Sequence, residues 1–256
     1  MMLKKSFLCW TLLSLVTSLA HGADIRTTTT NISANEIVDR NVSARGGLQA
    51  WRAVQTMSYT GKMEAGGKQN LQLPFVMEMK RPRKTRFELE FANTKAVQVY
   101  DGAAGWKFRP FLGRDDVEPF SPEELKSASM ESDLDGPLVD CVIKGTKVDL
   151  EGVEQVEGHD AYKLKLTMKG GSVRHIWVDT KTFLEVKIEG VPRRMDGKMR
   201  YVEIYYRDYK NVNGLMVPYL LETTVQGVKQ SHKIMIESVL VNPKLEDTLF
   251  AKPSAK

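Results

Sequence analysis

The feature that most constrains the fold is a long alternation of apolar and polar residues. It runs with few breaks from about Met57 to Val241, and it predicts a wide antiparallel sheet with one apolar face. Such a face must close over a core, be covered by helices or surround an apolar ligand. The clearest members of the face are Phe75, Met77, Met79, Phe87, Leu89 and Phe91.

Turn residues divide the alternation into strands. The spacing of these turns predicts roughly ten or eleven strands, and no long linker rich in proline or serine separates them. A single domain over residues 23–256 is the simplest interpretation. The main turn signals are Gly66-Gly67, Pro82, Asp101-Gly102, Gly158, Gly170-Gly171 and Asp179-Thr180-Lys181.

Helices are predicted where the alternation is absent. Ser33, followed by Glu36, predicts a capped helix that should end or bend at Gly46-Gly47. The run Ser121-Pro122-Glu123-Glu124 is a second capping box, with proline at the first helical position. A further short helix is expected over residues 138–143.

The N-terminus has the pattern of a secretory signal peptide. Lys4 and Lys5 precede an apolar stretch over residues 7–20, and Ala20-His21-Gly22 offers small residues for cleavage. The stretch is too short for a membrane span, which needs roughly 18 or more apolar residues. We therefore expect residues 1–22 to be removed and a soluble, unanchored protein to remain.

Charge and cysteine content limit the possible functions. Loss of Lys4 and Lys5 lowers the formal net charge from +5 to +3, which does not indicate a nucleic-acid partner. Only Cys141 of the two cysteines remains, so no internal disulfide can form. The mature protein must be stabilised by its core, and we expect it to be a monomer.

Neither catalytic nor metal-binding motifs stand out. His159, His175 and His232 are far apart and belong to no metal-ligand pattern. The alternation places His175 on a strand as a packed or solvated residue, and Cys141 is expected to pack as a small hydrophobe. We therefore predict no enzyme activity, no cofactor and no metal site. An enzyme on this scaffold would need a histidine and a carboxylate to meet in a pocket.

Two basic stretches could contact anionic membrane head groups. One surrounds Pro82 and runs from Lys80 to Arg86, and the other surrounds Asp196-Gly197 and runs from Arg193 to Arg200. The simpler interpretation is that both are solvated hairpin ends that protect the sheet edges.

Short phrases throughout the chain resemble the periplasmic lipoprotein-carrier superfamily, the LolA/LolB-like proteins related to outer membrane lipoprotein sorting. The resemblance covers most of the mature chain, and its motifs are turns and packing residues. The phrases are Tyr100 to Trp106 (Y-D-G-x-x-G-W), Asp135-Gly136-Pro137-Leu138, the run from Gly152 to Tyr162, Gly214-Leu215-Met216-Val217-Pro218 and Asn242-Pro243.

The resemblance implies a mainly β, half-open barrel: a strongly curved antiparallel sheet with helices covering its concave face. It also implies a periplasmic location in a Gram-negative envelope and binding of a lipid or an acylated protein. Transient membrane contact is instead the expectation from the two basic stretches. An envelope-sensing module that binds a membrane protein is the alternative. Methionine on the apolar face would suit a variable apolar ligand. The expected lining residues are Phe75, Met77, Met79, Phe87, Leu89, Phe91 and Trp106.

Overall fold

The computed structural model describes residues 32–64 and 71–254. Three parts of the sequence lie outside these residues: the predicted signal peptide, the polar residues 23–31 after it and the Gly66-Gly67 turn. Within the described residues, no helix combines the length and apolar character that crossing a membrane requires. The helices are α1 (Ala34–Ala44), α2 (Leu48–Ala53) and α3 (Pro122–Glu131), with single 3-10 turns at Pro110–Leu112 and Asp247–Phe250.

Strands make up most of the described chain. They are β1 (Thr56–Glu64), β2 (Gln72–Lys80), β3 (Lys84–Phe91), β4 (Thr94–Tyr100), β5 (Gly105–Arg109), β6 (Arg114–Pro119), β7 (Lys147–Val156), β8 (His159–Thr167), β9 (Val173–Asp179), β10 (Glu185–Glu189), β11 (Arg193–Met195), β12 (Lys198–Arg200), β13 (Val202–Val212), β14 (Leu215–Val225) and β15 (His232–Val241).

Thirteen of these strands form one antiparallel sheet. Their order is β6-β5-β4-β3-β2-β1-β15-β14-β13-β10-β9-β8-β7, so β6 and β7 form its two edges and the sheet does not close into a barrel. Strands β11 and β12 form a separate hairpin that projects between β10 and β13. The predicted fold class, a large antiparallel sheet with few helices, is confirmed.

Helix α3 shows that the sheet is strongly curved. Its first turn is tied to β5, where Lys107 Nζ lies 2.6 Å from Glu124 Oε2. Near its other end, Met130 lines a pocket with Arg174 of β9. In a flat sheet nine strand spacings, roughly 43 Å, would separate β5 from β9. A ten-residue helix is only about 15 Å long, so the sheet must bend to bring its two halves together.

The first helix forms as its sequence predicts. Ser33 Oγ accepts the Glu36 N–H at 3.2 Å, while the Glu36 carboxylate pairs with Arg40 instead of closing the reciprocal capping bond. The apolar side of α1 is buried in the core. The chain turns at Gly46, where an added Cβ would lie 2.3 Å from the Gly214 carbonyl oxygen. This close approach packs the end of α1 against the β13–β14 turn.

The prediction of a short helix over residues 138–143 is wrong. Residues 134–145 form successive turns, and Asp140 has a φ of 53°, a left-handed conformation that interrupts a right-handed helix. Leu138 and Val139 are nevertheless fully buried. The 132–146 segment therefore covers part of the sheet without forming a helix.

One contiguous core joins both halves of the sheet. It contains buried side chains from α1, α2, the 132–146 segment and strands of both halves of the sheet. Cys141 is a buried, free thiol in this core, and burial raises its pKa, so its predicted packing as a small hydrophobe is confirmed. The structure has more strands than predicted because β6 and the β11–β12 hairpin were not expected as separate elements.

Candidate ligand-binding site

The predicted apolar residues of β2 and β3 share the face that points to the core. Phe75 is paired with Leu89 across the two strands, and Met77 is paired with Phe87. The rings of Phe75 and Phe87 stack at a centroid distance of 5.7 Å. The structure therefore brings together side chains that lie ten or more residues apart in the sequence.

Different parts of this face are covered to different degrees. Phe75, Met79 and Leu89 are buried in the core, whereas Met77 and Phe87 are only partly buried against it. Phe91 is 38% exposed, and its edge contacts Phe111 at a centroid distance of 5.8 Å. The buried members serve as core, and the partly buried ones keep some solvent-exposed surface.

Trp106 lies on the opposite face of the sheet. It is paired with Val99 on β4, and these side chains pack in a separate cluster around Phe250 near the C-terminus. The 3-10 turn at Asp247–Phe250 thus covers the outer face of β4 and β5. The structure separates Trp106 from the other six residues expected to line the cavity.

The concave face continues from β1 through β15 and β14 to β13. Met63 pairs with Ile234, Ile234 with Leu221, and Leu221 with Tyr206, so these side chains form a row across four strands. All are partly buried against the main core. We name the partly buried apolar surface of this face the apolar trough; it consists of Met63, Met77, Phe87, Ile204, Tyr206, Tyr219, Leu221 and Ile234.

Sequence reasoning identified only the β2–β3 part of this trough. On β13 the large hydrophobic side chains at 202, 204 and 206 occupy every second position. Tyr205 between them is also a large side chain, and it obscures the alternation. On β14 the run Tyr219-Leu220-Leu221 hides the alternation in the same way. The trough residues of the second half could have been found from every second position of 202–206 and 217–221.

A pocket of about 620 Å³ lies at one end of the trough, beneath α3. This volume is typical of sites for small molecules. Met130 of α3 lines it together with Val202 of β13 and Val225 of β14, and the charged lining residues are Lys126, Arg174, Glu189 and Glu203. The pocket is therefore mostly apolar, with a few polar groups that could orient a ligand.

Helix α3 covers this region without being part of the core. Ser121 Oγ accepts the Glu124 N–H at 3.2 Å, and the Glu124 carboxylate accepts the Ser121 N–H at 2.7 Å, which confirms the predicted capping box. No residue of α3 is fully buried. The helix is thus well formed locally but weakly anchored to the sheet.

The electrostatics of the interior fit a concavity that water enters. Glu131 is exposed, yet desolvation by the surrounding protein raises the pKa of its carboxyl against the opposing effect of Arg174. Burial likewise raises the pKa of Tyr206 to about 12, although its side chain is only partly buried. Both groups are accessible to water while protein surrounds them.

A network of buried charges lies at the opposite strand ends. Arg45 contacts Glu185 at 3.2 Å and donates to the Asp135 carbonyl oxygen at 2.8 Å. The Asp135 carboxylate pairs with Arg81 at 2.7 Å and with Lys144 at 2.5 Å. Because Glu185 begins β10 whereas the pocket residue Glu189 ends it, this network closes the end of the fold away from the pocket.

The three histidines do not meet. His175 lies on the outer face, where its ring nitrogens contact Glu189 at 2.8 Å and Glu151 at 3.2 Å. His159 and His232 begin β8 and β15, which are not neighbours in the sheet. Within the part of the chain that the structure describes, no group of three or more histidine, cysteine or acidic side chains could hold a metal ion.

Comparison with known proteins gives structural matches only. No family model matches the sequence, and no curated protein matches it. A LolA superfamily protein from Nitrosomonas europaea aligns with a TM-score of 0.58 at 16% identity, covering 86% of this chain and 98% of that one. This chain has a LolA-like fold.

Two further structures support the same fold. A domain assigned to outer membrane lipoprotein-sorting proteins, from Vibrio parahaemolyticus, aligns with a TM-score of 0.55 at 15% identity, covering 85% of this chain and 95% of that one. A DUF1329 family protein from Desulfovibrio piger aligns with a TM-score of 0.56 at 17% identity, covering 86% and 97%. At these identities the likeness concerns the LolA-like fold itself.

Proposed function

We propose that this protein is a periplasmic, non-enzymatic carrier that holds the acyl chain of a lipid or an acylated protein in the apolar trough. The observation that carries this proposal is the continuous, partly exposed apolar row across the concave face, with a weakly anchored helix over the pocket at its end. A contiguous apolar surface that keeps some exposure is the kind of patch that often marks a binding site. The LolA-like fold and the lipoprotein-sorting assignment of one structural neighbour support it.

Burial of the chain would supply the driving force. Each methylene group removed from water contributes about 0.8 kcal/mol, so roughly ten methylenes offer about 8 kcal/mol before the costs of association. The flexible Met63 and Met77 side chains can adapt to chains of different shape. No cofactor is needed for such binding. Residues 1–22 would direct export, and residues 23–256 would form the single carrier domain.

The test is lipid identification on the protein recovered from its native host. Native mass spectrometry should show an added mass, and extraction with organic solvent should release a lipid. Leu221→Gln, within the trough, should reduce the bound fraction, while the matched Leu240→Gln, at a residue that is 57% exposed, should not. Protein that carries no lipid, and binds none when it is offered, would contradict the proposal.

A specific observation also favours contact with an anionic membrane. The two basic stretches differ sharply in the structure. Around Pro82, Arg81 pairs with Asp135, while Lys80 and Lys84 both pair with Asp247, so these charges already have partners within the protein. This stretch is therefore neither a free membrane contact nor the solvated edge expected from the sequence, because β2 and β3 lie inside the sheet and Arg81 pairs with a buried carboxylate.

The β11–β12 hairpin keeps its charges free. Among the described residues, Arg193, Arg194, Lys198 and Arg200 have no carboxylate within ion-pair distance, and the hairpin also exposes Met199 at 54%. Basic residues beside exposed apolar ones suit a surface of anionic lipids, where each charge contributes about 1 kcal/mol. We propose that this hairpin makes the transient membrane contact.

Vesicle sedimentation tests this contact. The protein should bind vesicles containing phosphatidylglycerol and bind pure phosphatidylcholine vesicles weakly, and Arg193→Gln with Arg194→Gln should remove the difference. Equal binding to both kinds of vesicle would exclude the electrostatic contact. The alternative function, an envelope-sensing module, would instead be favoured by stable co-purification with an inner-membrane protein and by absence of bound lipid.

A further inference from the structure

Arg174 is an unusual residue at the base of the pocket beneath α3. It lies on β9, on the same face as the core residue Ile176, and only 8% of its surface is exposed. It lines the pocket together with Met130, Val202 and Val225. A guanidinium group is thus held among apolar side chains at the end of an apolar trough.

The protein provides few partners that offset the buried positive charge of this guanidinium group. Its Nη2 donates to the Glu189 carbonyl oxygen at 2.7 Å, while its buried Nε has no hydrogen-bond partner. Among the described residues no carboxylate lies within ion-pair distance of it. Burial lowers its pKa, which reflects the cost of keeping this charge away from water.

Nearby carboxylates are committed elsewhere or lie farther away. Glu189 accepts the backbone N–H of His175 at 2.8 Å and contacts its ring, and Glu203 pairs with Lys187 at 3.1 Å. Glu131, at the end of α3, acts on Arg174 only at longer range. A buried cation without a counter-ion is costly, so a site of this kind is completed by an anionic group from a ligand.

We propose that Arg174 binds the anionic head group, a carboxylate or a phosphate, of an amphiphile whose chain lies in the apolar trough. This inference rests on the proposed carrier function, because it places the polar end of the same ligand. The pocket and the trough are continuous along β13, where Val202, Ile204 and Tyr206 face the same side. Lys126 adds a second positive charge at the pocket wall.

The test compares ligands that share one chain and differ in the head group. Each ligand is titrated against a neutral dye, N-phenyl-1-naphthylamine, bound to the purified mature protein, and displacement of the dye is measured. The ligands are dodecanol, laurate and dodecyl phosphate, and inorganic phosphate serves as the anion without a chain. Laurate and dodecyl phosphate should bind at least about tenfold more tightly than dodecanol, since hydrogen bonds to charged groups are the strong ones. Inorganic phosphate alone should displace no dye.

Variants assign the effect to this residue. Arg174→Gln should remove the preference for laurate over dodecanol. If Arg174→Gln does not fold, Glu131→Gln offers a second route, because removal of the nearby negative charge should tighten laurate binding and leave dodecanol unaffected. Arg40→Gln, at an exposed arginine on α1, is the matched control and should change neither.

The outcomes separate the two proposals. Equal binding of dodecanol and laurate, unaffected by Arg174→Gln or Glu131→Gln, would overturn the head-group site and leave the carrier function standing. Binding of none of the three amphiphiles would overturn the carrier function, and the head-group site with it. Displacement of the dye by inorganic phosphate would show a site for free anions and contradict a lipid head group.

Discussion

Asp135 shows how a single side chain fixes the conformation of a whole segment. Its carboxylate is almost fully buried between Arg81 and Lys144, and its carbonyl oxygen accepts from Arg45. Arg45 and Arg81 come from two distant parts of the chain, and their contacts hold the 132–146 segment over the sheet. The Asp135-Gly136-Pro137-Leu138 phrase is therefore structural, as expected of a motif that specifies fold.

Asp135→Asn should destabilise the protein by about 3 kcal/mol, because it leaves two cations facing a neutral amide in a buried site. Urea unfolding followed by circular dichroism measures the change. Asp247→Asn is the matched control: Asp247 also contacts two cations, Lys80 and Lys84, but is 70% exposed, so little or no change is expected. Equal effects of the two substitutions would contradict the structural role of Asp135.

Asp140 gives this segment a dependence on pH. Hydrogen bonds from Arg52 at 2.6 and 2.9 Å lower the pKa of its carboxyl. The contribution to stability is therefore complete above the unfolded pKa of about 3.9 and is lost as the pH falls through the lower folded pKa. The stability difference between wild type and Asp140→Asn should be constant above about pH 5 and shrink below about pH 4.

Unfolding by urea across this pH range measures the difference. Arg52→Gln should show the same pH dependence, since it removes the other partner of the same pair. A stability difference that stays constant down to pH 2 would rule out the Arg52–Asp140 bond as its source.

Among the elements, α1 and α3 illustrate two kinds of helix. Both have a serine N-cap, Ser33 or Ser121, whose hydroxyl accepts the N–H of a glutamate three residues later. Helix α1 buries its apolar side in the core, whereas no residue of α3 is fully buried. The first should therefore unfold only with the whole protein, and the second should open locally to admit a ligand.

Matched cap substitutions test this difference. Ser121→Ala should weaken α3 by about 1 kcal/mol and accelerate amide hydrogen exchange over residues 122–131, with nearly unchanged global unfolding. Ser33→Ala should instead lower the free energy of global unfolding by a similar amount. A loss of global stability from Ser121→Ala as large as that from Ser33→Ala would show that α3 belongs to the core.

Local features were predictable from the sequence, and features that depend on distant contacts were not. Alternation identifies strands because successive side chains of a strand point to opposite faces, so a short stretch of sequence is enough to show the pattern. The Ser121 capping box is likewise complete within four residues. The face of Trp106 depends on the register of β5 against β4, and its packing depends on the C-terminal turn that covers both strands. Arg174 looks like an ordinary polar strand residue until the curvature of the sheet buries it.

At the scale of the whole molecule, curvature produces the candidate site. The sheet bends far enough for α3, about 15 Å long, to reach from β5 to the pocket shared with β9. One end of the concave face is closed by buried charges around Arg45 and Asp135, and the other holds the pocket. The LolA-like fold thus presents an apolar trough with a charged group at one end.

The central claim is that the trough holds an acyl chain. Photo-crosslinking tests it most directly, with a twelve-carbon fatty acid that carries a diazirine near the end of its chain. The account predicts saturable labelling, mapped by peptide mass spectrometry, at trough residues such as Met77, Phe87 and Leu221, and competition by laurate. Labelling confined to the outer face around Trp106 and Leu249, or labelling that does not saturate, would contradict it.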